Sequence, residues 1–270
     1  MSKTKEQINA KRQFIKTLES IAYRHSITNV FDDFMELAIC AFAMGTMEER
    51  YHEIAKRYSR DELNQFAVCL ALMINEYQHA ATDGGWNDML GIYYEEIGSI
   101  TGKQQLGQFF TPKEVCDLMA RLNDNTENAV PEGTTVCDPA AGSSRNLIAH
   151  SRLHPQNRWN TFYHGYDLDR RCVNMSVLNM IMYGMKGVVI HMNTLSLEVY
   201  SGYRLYLPEL GWGVRRLTKA ECWNFITVTK GLEKTTHEET TNKAPIAESN
   251  QVKILDQTFK NKILKQASLF

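Results

Sequence analysis

The chain has 270 residues, enough for one large core or for two domains of the usual ~100–200 residues each. Hydrophobic residues make up 43% and charged residues 23%, which excludes a chain too polar to fold, and a net charge of −1 excludes a globally basic polyanion binder. The six cysteines are scattered without a C-x-x-C pair, so neither a zinc site nor a disulfide framework is indicated.

From about Lys5 to Gly102 there is no proline, and apolar residues recur at helical spacing. Phe31, Phe34, Met35, Ala38, Ile39 and Phe42 form one stripe; Leu63, Phe66, Ala67, Leu70 and Ile74 form a second, in a helix opened by Ser59 or Asp61. The Gly84-Gly85 pair breaks that helix, and another is predicted over Trp86 to Ser99 with Leu90, Tyr93, Tyr94 and Ile97 on one face. These stripes are core positions, and residues 1–104 read as a helical domain. No run of about 18 apolar residues occurs, which predicts no membrane span and a cytoplasmic protein.

Leu106 to Pro112 reads as an extended loop, because the residue before a proline is pushed out of the helical region. A helix to about Leu122 should follow, with Thr111 as N-cap and Pro112 at the first helical position. After a polar connector the period switches. Strands are predicted at Thr134 to Asp138, Asn160 to Asp167 and Val188 to Asn193, with helices at Ser143 to Leu153 and Asp169 to Tyr183 between them. This alternation predicts an α/β, doubly wound, Rossmann-like parallel sheet over residues 105–229, with its ligand crevice at the carboxyl ends of the strands, where Asp138, Asp167 and Asn193 lie. One or two strands are expected within Tyr200 to Leu217 and another over Trp223 to Thr229. Residues 230–270 begin with a stretch too polar to bury a core and read as a flexible tail.

The chemistry concentrates between Gln108 and Ser144. Pro139, Gly142 and the serines place a turn rich in exposed N–H groups between a strand-end carboxylate and a helix start, which suits a nucleotide-like ligand. Asp167, 29 positions after Asp138, is placed to accept from ribose hydroxyls. A dinucleotide and S-adenosylmethionine are both compatible, although the turn does not match G-x-G-x-x-G.

Several segments in order resemble the adenine-N6 DNA methyltransferases found as modification subunits of type I restriction systems. Asp88 to Glu95 is similar to the helix leading into that family's cofactor domain. Gly107-Gln108-Phe109-Phe110-Thr111-Pro112 resembles its G-Q-F-Y/F-T-P motif, and Asp138-Pro139-Ala140-Ala141-Gly142-Ser143-Ser144 its D-P-x-x-G-S-G motif. Gly165-Tyr166-Asp167-Leu168-Asp169 resembles the ribose segment, and Met192-Asn193-Thr194-Leu195 the G-D-x-L segment. The resemblance implies S-adenosyl-L-methionine as cofactor, with Gln108 to Pro112 around its methionine end, Asp138, Pro139, Ala140, Gly142 and Ser143 near its amino-acid part, Asp167 and Leu168 at the ribose and Asn193 facing the adenine. It also implies DNA as substrate, reached with the help of another subunit.

The chain departs from the family at three places. Ser144 stands where the motif has glycine, and Asn193 where it has aspartate. The catalytic signature, Asn/Asp-Pro-Pro-aromatic, is absent, because no two of the six prolines are adjacent. Its polar group and carbonyl accept from the target amino group and its ring stacks on the flipped base, so methyl transfer by this chain alone is not expected and no catalytic residue is assigned. The alternative is a non-catalytic scaffold. Its C-terminal Gln266-Ala267-Ser268-Leu269-Phe270 resembles the Q-x-x-L-F peptide that docks on the bacterial sliding clamp, through Gln266, Leu269 and Phe270; a terminal amphipathic helix through Leu255, Phe259 and Ile263 is the competing reading.

Overall fold

A computed structural model of the chain describes residues 5–82, 85–100, 110–124, 130–155, 158–206 and 213–226. Contacts divide the chain into Met1–Ile226 and Thr227–Phe270, and the second unit lies outside the described residues. Five helices come first: α1 (Lys5–Ile21), α2 (Ile27–Phe42), α3 (Glu48–Ala55), α4 (Arg60–Thr82) and α5 (Met89–Ile100). The α2 stripe is buried as its spacing predicts, through Phe31, Phe34, Met35, Ala38 and Ile39. On α4 the buried line is Phe66, Cys69, Met73 and Tyr77, whereas Ala67 is exposed. The helix is rotated so that Tyr77 reaches and donates to Asn179. Ser59 caps α4: its Oγ accepts from Glu62 N at 3.3 Å while Glu62 accepts from Ser59 N at 2.7 Å.

The second part contains α6 (Lys113–Asn123), β1 (Thr134–Asp138), α7 (Arg145–Leu153), β2 (Thr161–Asp167), α8 (Arg170–Met182), β3 (Gly187–Asn193), β4 (Glu198–Tyr206), β5 (Gly213–Leu217) and α9 (Lys219–Trp223). The cap of α6 is Pro112 rather than Thr111: Pro112 has extended ψ of 146°, its carbonyl accepts from Val115 and Cys116, and Thr111 is left to offer its carbonyl elsewhere. Trp223 closes a helix, so the strand expected from that residue does not begin there.

The sheet runs β1-β2-β3-β4-β5. β1, β2 and β3 are parallel, but β4 and β5 are antiparallel additions, which corrects the expected parallel, doubly wound sheet. The cause is chain length. Only residues 194–197 separate β3 from β4, far fewer than the dozen or so that a parallel crossover needs. Among the described residues the order never reverses, so the sheet shows no topological switch point there, and β1 is its edge strand.

One continuous core joins the helices to one face of the sheet. Phe14, Phe34, Met73 and Tyr93 belong to the same buried cluster as Leu147, Val173, Val189 and Leu205. The opposite face of β2–β5 is covered by a second cluster in which Tyr166, Ile190 and Leu217 meet Cys222 and Ile226. β1 is left out of that cover: no residue of it is fully buried, and Thr135 and Cys137 are exposed. Among the described residues no helix is long and apolar enough to cross a membrane, and no group of three His, Cys, Asp or Glu side chains is placed to hold a metal.

Candidate cofactor site

At the carboxyl ends of β1 and β2 the chain builds a cleft of about 240 Å³ lined by Phe110, Thr111, Ala140 to Ser143, Arg145, Asn146, Asp167 and Cys172. Asp138, the last residue of β1, shapes the turn that follows. Its Oδ1 accepts from Ala140 N and its Oδ2 from Asn146 Nδ2, both at 3.1 Å. Gly142 has φ of +55°, and a Cβ there would meet the Phe110 ring at 3.1 Å, so this position needs glycine for both conformation and space. Gly142 N donates to Asp167 Oδ2 at 2.8 Å, and Asp169 N donates to Asp167 Oδ1 at the same distance. Burial raises the pKa of Asp167 above the usual aspartate value, with the two N–H donors opposing that shift.

Ser144 takes the left-handed conformation, φ of +71°, immediately before α7. This is the position where the motif carries glycine, and the backbone explains that preference. Here the serine is fully buried, and its hydroxyl pairs with Ser176.

Behind the cleft lies a buried network that the sequence reading left aside. Asp88, 3% exposed, precedes α5 and accepts four donors: Gly91 N at 2.9 Å, Asn179 Nδ2 at 2.8 Å, Ser143 Oγ at 2.5 Å and Arg145 Nε at 2.6 Å. Asn179 also donates to the Ser143 carbonyl at 2.7 Å. Arg145 reaches on to the Thr111 carbonyl at 3.2 Å, to Glu95 at 3.6 Å and over the Phe110 ring at 4.9 Å, so it ties the Phe110–Thr111 arm to the turn after β1. A Cβ at Gly91 would lie 2.0 Å from Asp88 Oδ2. The Asp88-x-x-Gly91 spacing was therefore a readable signal, whereas the roles of Arg145 and Asn179 were not.

Of the residues singled out from sequence, the structure brings Phe110, Thr111, Ala140, Gly142, Ser143 and Asp167 together on the cleft wall. Pro112 caps α6, Pro139 is exposed, and Asp138 holds the turn through Asn146. Leu168 is 59% exposed and is not part of the wall. Asn193 is likewise absent from it: its Oδ1 accepts from Leu195 N at 3.0 Å and Ser196 N at 3.1 Å, a local turn that occupies the amide oxygen. Gln108 and Phe109, and Gln266, Leu269 and Phe270, lie outside the described residues.

Residues 86–202 match the family model described as N-6 DNA Methylase. No curated protein matches the chain in sequence. Among solved structures, the type I restriction-modification system methyltransferase subunit from Streptococcus thermophilus is 17% identical, with a TM-score of 0.37 over 70% of this chain and 58% of that one. A protein described as a class I S-adenosylmethionine-dependent methyltransferase from Listeria monocytogenes is 14% identical, with a TM-score of 0.42 over 69% of this chain and 54% of that one. The chain thus spans less than two thirds of either structure. The segment 86–202 that matches this family model contains Asp88, the turn after β1 and Asp167.

Proposed function

We propose that the chain binds S-adenosyl-L-methionine in the cleft at the ends of β1 and β2 and forms part of a DNA adenine-N6 methyltransferase completed by a second polypeptide. The observation that carries this reading is the Gly142–Asp167 pair, which presents a carboxylate on the wall of a cleft flanked by the Phe110–Thr111 arm. The residues fit such a group. Gly142 leaves bare the space that a Cβ would fill, and Asn146, which spends its amide N–H on Asp138, keeps a buried carbonyl oxygen without a partner among the described residues. That oxygen is an acceptor for the ligand's ammonium group, Asp167 accepts from ribose hydroxyls, and the Phe110 ring supplies an apolar wall. At about 240 Å³ the described wall encloses part of a ligand of this size rather than all of it. When bound, the cofactor supplies an electrophilic methyl group on a sulfonium centre.

The chain does not hold the base itself in this reading, since it lacks the Pro-Pro-aromatic segment. The uncovered side of β1 supports a completing subunit: β1 has one unpaired edge among the described residues and one face with Thr135 and Cys137 exposed. Residues 1–104 act as a brace, reaching the cleft through Asp88 and Glu95, and the place of action is the cytoplasm, with host DNA.

Calorimetric titration of the whole chain with S-adenosylmethionine tests the first part. Asp167→Asn should weaken binding by roughly tenfold, as expected for loss of one charge-assisted hydrogen bond. Binding unaltered by both Asp167→Asn and Gly142→Val would refute it. Labelled methyl transfer to adenine in duplex DNA should be seen only when a completing subunit is added; label transferred by the chain alone would overturn the second part.

A further inference from the structure

A second cleft, of about 190 Å³, opens between α2, α3, α8 and the β4–β5 hairpin, and shares no lining residue with the cofactor site. Its wall carries three guanidinium groups, Arg50, Arg170 and Arg216, against two carboxylates, Glu36 and Glu53. Their pairing is uneven. Glu36, 7% exposed, is held by Arg50 at 2.5 Å and also by Arg170, and Arg50 turns a further N–H to Glu53 at 2.9 Å. Arg216 is exposed and has no ion pair among the described residues. The cleft therefore retains one uncompensated positive charge at its mouth.

A second observation is independent of charge. Tyr203 faces Arg216 in the β4–β5 register and is only 9% exposed, yet its hydroxyl makes no hydrogen bond among the described residues and opens on this cleft. Burial raises the pKa of the phenol, opposed by Arg216 and Arg170, so the hydroxyl remains a donor at neutral pH. Ser201, two residues earlier on the same strand face, adds a second hydroxyl without a partner among the described residues. A guanidinium unpaired among the described residues, a protonated phenol and a serine around a space too small for a whole drug-sized ligand match a tetrahedral oxyanion.

We propose that this cleft binds a phosphate group, with Arg216 and Tyr203 donating to its oxygens and Arg170 adding charge from α8. The buried Glu36 carboxylate holds Arg50 and Arg170 in place, and the exposed Glu53 draws Arg50 away from the ligand. The phosphate has two sources, the phosphodiester backbone of a nucleic acid or a free phosphate, and the chemistry at the protein is the same for both.

The test uses the whole chain and two probes, a labelled duplex DNA of about 20 base pairs followed by anisotropy across salt concentrations, and inorganic pyrophosphate followed by calorimetry. Arg216→Gln, at an exposed position, should weaken duplex binding roughly fivefold and lower the salt slope by about 1. Tyr203→Phe should weaken it roughly threefold with the salt slope unchanged, because a neutral donor is lost. Glu53→Gln should tighten binding roughly twofold by releasing Arg50, a gain that damage to the fold would not produce. The same ranking with pyrophosphate and no duplex binding also supports the site and names the free phosphate as its source. No binding of either probe, or equal binding by all four proteins, overturns the proposal. S-adenosylmethionine titrations of the same variants should be unchanged, so failure of the cofactor reading and failure of this one are read separately.

Discussion

Asp88 and Glu36 are both buried carboxylates that hold arginines, and the two surroundings are built differently. Asp88 accepts four donors, and its Arg145 is only 12% exposed, so the charge pair is closed and its hydrogen-bonding capacity is used within the protein. Glu36 is held by two arginines that are 26% and 59% exposed, beside a third that has no carboxylate among the described residues. The first arrangement fixes backbone: it locks the start of α5, the turn after β1 and the start of α7 to one atom group. The second leaves donors facing solvent. A closed ion network therefore makes a scaffold, and an open one makes a surface that can take a ligand.

The largest expected effect comes from opening the closed network. Asp88→Ala leaves Arg145 and Asn179 without their acceptor in a buried place and should cost about 3–5 kcal/mol of stability in denaturant unfolding. A loss below about 1 kcal/mol would mean that the network is not the scaffold described. Gly91→Ala tests the same point by volume instead of charge. The new Cβ would lie 2.0 Å from Asp88 Oδ2, so the carboxylate must move, with an expected loss of about 1–3 kcal/mol in the same assay. Glu36→Gln should cost less, about 1 kcal/mol, because solvent reaches both of its arginines. If Glu36→Gln proved as damaging as Asp88→Ala, the contrast between closed and open networks would be lost.

These two centres were not equally legible. The strand ends Asp138, Asp167 and Asn193 stand in the structure where alternation and the Gly and Pro signals put them, because a short strand and its turn are specified by neighbouring residues. Apart from Gly91, Asp88 draws its donors from positions 55 to 91 residues away, and no local pattern encodes such a meeting. The sheet order failed for a different reason. Strands alternating with helices predict parallel pairing, and the rule held as far as β3, but the link at 194–197 forces an antiparallel return, with Leu197 at φ of +58°. That length could have been read beforehand. The basic cleft could not, because Arg50, Arg170 and Arg216 come from three separate stretches of chain.

The smallest effect concerns how completely the α7 side of the molecule excludes charge. His150, on α7, is half-buried against Tyr163, and burial lowers its pKa below the usual 6.5; the Asp124 charge opposes that shift and His154 adds to it. The folded state thus binds fewer protons than the unfolded one as pH falls through 6.5, so stability contributed above that pH is lost progressively until the folded pKa is passed. Because part of the ring still meets solvent, the loss should stay below about 1 kcal/mol. His150→Leu removes the titration, and its unfolding midpoint should change less between pH 7 and pH 5 than that of the parent chain. An identical pH dependence in both proteins would show that the imidazole is free to charge in place, and that this side of the molecule is open to water in the way the Glu36 cleft is.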